Sequence, residues 1–194
     1  ELRGSRLIDD AMRLWKRIRH FVDEGLVTAG PDLDALELAC FALQLPHRAQ
    51  RILSGKLPRL SLRDRSEQAA ELLAETINGF IDESLLDRAI RLLQETPQNP
   101  PVLEDAKLLA DAVNLDDFGA IGFVVQVQQL TRQGEGITQL ADGLHKREQY
   151  GYWEARLKDS FHFDAVRQIA QARLEHLRQI ATLLHHEIVG DGPA

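Results

Sequence analysis

The sequence predicts an all-α protein folded as a single helical domain. Three observations predict it. Apolar residues recur at three- and four-residue intervals through most of the chain, the spacing that lines one face of a helix. Period-two alternation of β-branched residues, the mark of a half-buried strand, is absent. Proline and glycine fall between the periodic segments and punctuate them. The 194 residues are ample for a real core, and 44% of them are apolar with only 6% aromatic, a composition rich in Leu and Ala that suits helical bundles.

The elements follow in order. Residues 5–24 carry Leu7, Ile8, Ala11, Leu14, Trp15, Ile18, Phe21 and Val22 as one stripe, and Gly25 stops the helix. Asp9, Asp10, Arg13, Lys16, Arg17 and His20 take its other faces and read as a solvated surface. Pro31 and Asp32 open a second helix, with Asp32 placed to cap free backbone N–H groups. That helix, 33–45, is apolar on almost every side, ends at Pro46, and is expected to be buried. A turn or two at 47–53 and a loop over 54–62 lead to a third helix at 63–78, closed by Gly79. Asp82 opens a fourth, running to about Thr96, and Pro97, Pro100 and Pro101 follow.

Residues 101–130 organise the rest. In their first half Leu103, Ala106, Leu109, Ala110 and Val113 share a helix face; an acidic joint, Asp116 and Asp117, leads to a second helix. The run 118–130 is apolar nearly all round at its start, so it is expected, with 33–45, to be one of the two most buried helices. Gly119 and Gly122 lie on one side of it, where a missing side chain admits a close neighbour. Past Gly134 and Gly136 a short helix at 137–144 is followed by a cluster of aromatics, Tyr150, Tyr152, Trp153 and Phe161. A long regular helix over 163–187 closes the domain. Within the single domain, 1–194, this places core helices at 5–133 and a C-terminal hairpin with its long helix at 134–189.

Composition also excludes function classes. A net charge of −7 argues against a nucleic-acid partner, which would need a basic footprint. No apolar run approaches the ~20 residues of a membrane span. The single cysteine, Cys40, excludes an internal disulfide and suits a reducing compartment, so a cytoplasmic location is expected. The chain opens on Glu1 rather than Met, so its natural start is not given. A phosphate-binding Gly-rich loop, a CxxC pair and a Gly-x-Ser-x-Gly elbow are all missing. The seven histidines are scattered without an i+4 ligand partner and read as surface or rim residues.

Several strings resemble the HD superfamily of metal-dependent phosphohydrolases. LADAVNLDDFGAIG, Leu109 to Gly122, is similar to that family's segment ending in Gly-Ala-Ile-Gly. DALELACFALQL, Asp34 to Leu45, resembles the helix that ends in its His-Asp pair. RSEQAAELLAETI resembles the helix that the family opens with a His-Ala-x-x-Gly-Ala string, and the stretch from Trp153 to Leu184 resembles its C-terminal hairpin. The resemblance implies an HD-type helical fold and a site built from a His, a His-Asp pair and a later Asp around one or two divalent metal ions. Carried over residue by residue, the ligands are lost. The first His falls at Asp10, with Arg13 kept beside it; the His-Asp pair falls at Leu43 and Gln44; the later Asp falls at Val113, between the surviving Asp111 and Asp116. Two further histidine positions fall near Ser66 and Leu93, and no His-Asp dipeptide occurs anywhere. The expectation is a vestigial site at Asp10, Arg13, Leu43, Gln44, Asp111, Val113 and Asp116, with no catalytic residue, no metal and no cofactor. Asp10, Arg13, Gln44 and Asp111 are expected in one small region, Arg13 offsetting the acids. The function implied is a binding or regulatory module whose partner is a protein, a small ligand or a second copy of the chain. The alternative is an active phosphohydrolase on nucleotides or phosphate esters, with a divalent metal held by relocated ligands.

Overall fold

The computed structural model describes residues 6–27, 30–47, 60–77 and 79–190. Those residues form helices α1 (Arg6–Asp23), α2 (Leu33–Ala42), α3 (Leu62–Ile77), α4 (Glu83–Glu95), α5 (Glu104–Asn114), α6 (Gly119–Gln133), α7 (Ile137–Gln149), α8 (Tyr152–Asp159) and α9 (Asp164–Val189), with a single 3-10 turn at Leu115–Asp117. Among the described residues there is no strand, and the fold class is all-α. No described helix is long and apolar enough to cross a membrane. Most of the turns expected at 47–53 and of the loop at 54–62 lies outside the described residues. Packing divides the chain into two compact units, Glu1–Ala112 and Val113–Ala194.

In the first unit, α1 buries Ala11, Leu14, Trp15, Ile18 and Phe21, the stripe its sequence spells out. It stops where Gly25 takes φ +65°: the Gly25 amide donates to the Val22 carbonyl and the Leu26 amide to that of Phe21, a Schellman closure that needs a left-handed residue. Capping carboxylates start α2 and α4. Asp32 accepts from the Ala35 amide at 3.1 Å and Asp82 from the Leu85 amide at 3.1 Å. Helix α2 ends at Ala42, four residues before Pro46, whose ring would clash with that carbonyl if the helix ran on. It packs on α1, α3 and α4, and α3 packs on α4.

The most buried helix is α5. Asp105, Ala106, Leu108, Leu109, Ala110, Asp111 and Ala112 are all buried. Its first turn is pinned by charge: Arg88 of α4 donates to the Asp105 carboxylate at 2.6 Å, and the Asp32 amide reaches the same oxygen at 3.3 Å. An acidic group in a first helical turn also meets the positive end of the helix dipole.

The second unit begins at Val113. The 3-10 turn hands the chain to α6, which packs on α9 and α7; α9 also packs on α7 and α8. Phe118 is fully buried and meets Trp153 and Phe161 edge-on, each with centroids 5.4 Å away. The helix expected at 137–144 runs on to Gln149, and the aromatic cluster carries a helix of its own, α8.

One expectation fails here. The run 118–130 is not among the most buried helices, since Val124 is 50% and Val125 40% exposed. An apolar composition on every side gives no preferred direction, and α6 has neighbours on part of its circumference only. Its two glycines do admit close approaches. A Cβ on Gly119, at φ +72°, would lie 3.1 Å from the Cβ of Arg173, and one on Gly122 would lie 2.2 Å from the Asp117 carbonyl oxygen.

These distances set a prediction. Gly122→Ala should destabilise the protein by about 2 kcal/mol or more, because backbone rather than a flexible side chain must move. Gly143→Ala, inside α7, meets nothing within 4 Å and should be neutral or gain up to about 1 kcal/mol from helix propensity. Urea unfolding of the two variants checks the contrast; equal midpoints would overturn it.

Candidate functional site

Five of the seven expected site residues, Asp10, Arg13, Leu43, Gln44 and Asp111, lie in the first unit, and Arg17 joins two of them on α1. Asp10, Arg13 and Arg17 sit three and four residues apart, so they share one face of α1. Arg13 and Asp10 form an ion pair at 2.6 Å, with side chains 35% and 24% exposed. Arg17, one turn on, is buried and donates to the Ala112 carbonyl of α5. That carbonyl is one of the last four of its helix, the set that lacks intrahelical partners. The bond brings this face of α1 to the part of α5 that holds Asp111. Asp111 is fully buried and, like Asp10 and Arg13, engaged by further groups.

Leu43 caps the C-terminus of α2 and is completely buried. Gln44, in the turn that follows, is half-buried. Ser66 and Leu93, the two further aligned positions, are completely buried. Val113 and Asp116 belong to the second unit and are both half-buried. Among the described residues, no three His, Cys, Asp or Glu side chains lie close enough together to hold a metal ion.

Chemically, the expected residues of the first unit are one neutralised acid, one buried acid, a neutral amide and a buried aliphatic side chain. Cys40, one helical turn before Leu43, adds no nucleophile. It is buried, and desolvation pushes its thiol well above the ordinary range, outweighing Arg17, which favours the thiolate. An open groove of about 710 Å³ lies elsewhere, along α4 and the loop after it; Asp87, Arg91, Gln94, Glu95, Gln98 and Val102 line it, and it includes none of the seven expected residues.

Sequence reading missed Arg17, which it assigned to a solvated surface. The available signal was its position beside Leu14, Ile18 and Phe21 at the border of the apolar stripe. It also missed a polar knot in the second unit. Arg156 donates to Asp117 at 2.5 Å, to Ser160 Oγ at 2.9 Å and to Asn114 Oδ1 at 3.3 Å. Asn114 in turn donates to the Ser160 carbonyl at 2.8 Å. The acidic joint is thus a neutralised corner: Asp117 ties the 3-10 turn to α8.

No family model matches the chain, and no curated protein does. The fold is similar to that of YpgQ from Bacillus subtilis. A crystal structure of YpgQ in complex with ADP superposes with a TM-score of 0.58 at 22% identity, over 92% of this chain and 84% of that one. A further YpgQ structure gives 0.49 at 19% identity, over 96% of this chain and 100% of that one.

Two tests follow from the site. Arg17→Ala strands a buried carbonyl and should cost about 1–3 kcal/mol, whereas Arg63→Ala removes a surface pair to Glu67 with both side chains more than half exposed and should stay within about 0.5 kcal/mol. Paired thermal melts decide this, and equal losses would show that Arg17 is not anchoring α5. For Cys40, the folded thiol titrates above the unfolded one, so its contribution is fully present below the unfolded pKa. As pH rises past that value the unfolded chain alone releases the proton, and stability falls. Wild type should therefore lose more stability than Cys40→Ala between pH 8 and about pH 10, a range around the ordinary thiol value, and native Cys40 should react with thiol reagents only as fast as the protein opens. Rapid native labelling at neutral pH would contradict it.

Proposed function

We propose that this chain is a degenerate member of the HD superfamily that does not hydrolyse phosphate esters and works instead as a binding or regulatory module. The observation that carries the reading is Leu43. It stands where the resemblance places the histidine of the His-Asp pair, and it is completely buried. An aliphatic side chain has no lone pair to offer a metal, and its burial leaves no room beside it for water to substitute. Gln44 is a neutral, weak donor, and Val113 has none. Asp10 is held by Arg13, so a cation arriving there would have to displace a guanidinium already in place.

These residues do not fit a divalent ion. Mononuclear sites need several N or O donors converging on one point, and the aligned positions supply one paired carboxylate and one amide. Each missing donor also removes part of what offsets the desolvation of the ion, so the deficits compound. The proposed role is therefore recognition. The similar fold of YpgQ carries ADP in its crystal structure, which makes ADP the first small-molecule probe to try.

The test is elemental analysis of the purified protein together with a screen on generic phosphomonoesters and nucleotides. Less than about a tenth of a metal equivalent per chain and no turnover above background are expected. A tightly held metal near one per chain, with metal-dependent hydrolysis, would establish the active phosphohydrolase instead. As a converse, Asp10→His, Leu43→His, Gln44→Asp and Val113→Asp combined should raise metal uptake measurably. The buried polar groups cost roughly a few kcal/mol of stability without metal, so a metal-dependent gain in melting temperature reads out the site even where activity stays absent.

A further inference from the structure

We draw no further inference here: the strongest candidate, the apolar patch that α6 leaves uncovered at Val124 and Val125, carries nothing because nothing in the structure shows what covers it.

Discussion

The first unit depends on how α5 carries charge into a core. Buried carboxylates cost several kcal/mol unless paired and hydrogen-bonded, and α5 has one near each end, Asp105 and Asp111. The two ends are met by arginines from different helices. Arg88 of α4 neutralises Asp105 at the start, and Arg17 of α1 takes up the Ala112 carbonyl near the finish. Both placements follow the helix dipole, an anion at the N-terminal turn and a cation at the C-terminal one. Such contacts add modestly to stability, since desolvation offsets much of the attraction. What they add is direction: a Leu- and Ala-rich helix could rotate or slide by a turn at little cost in apolar burial, but not without stranding these groups.

The helical class was legible because amphipathic periodicity is local. The stripe on α1, the capping aspartates at 32 and 82 and the glycine stop at 25 all act within a few residues, and the sequence shows them directly. Burial of whole helices was less legible. Helix α5 shows one apolar face in sequence, with Asp105, Lys107 and Asp111 among its polar positions, and the partners that allow the rest of it to be buried lie 17 residues away for Asp105 and 95 for the Ala112 carbonyl. Helix α6 reads as the better core element, yet Val124 and Val125 face outward. Local composition sets how much a helix gains from burial; only tertiary placement sets whether it is buried.

The candidate site divides the same way. The Asp10–Arg13 pair is an i, i+3 contact and could be anticipated from spacing alone. For Arg17 the border of the apolar stripe signals burial but not the partner, which is a backbone carbonyl that every residue carries and no sequence pattern marks. Nor does any pattern mark the Arg156 knot, where one guanidinium serves an aspartate, an amide oxygen and a hydroxyl drawn from three elements of the second unit. Asp117 looked like half of an acidic joint; with Arg156 on it, it is a structural corner. An acidic pair in sequence therefore says little about a ligand until its counter-charges are known.

That point bears on what the proposed loss of a metal site would leave behind. Carboxylates that once faced a divalent cation would repel one another, or stand unpaired, when the cation was gone. Two outcomes relieve that strain. A ligand can give way to an apolar or neutral residue, as the proposal has it at Leu43, Gln44 and Val113, or a carboxylate can stand in its place and be neutralised from within the chain, as Arg13 neutralises Asp10. A guanidinium is well suited to the second, because it stays charged and offers several donors in a fixed plane. Once it is engaged, a cation arriving at the native chain would have to displace the arginine from its carboxylate, whereas Asp10→His restores a ligand and removes that carboxylate in one step. The ion pair and the missing histidine are therefore one obstacle at Asp10, and reversal there needs the carboxylate itself exchanged.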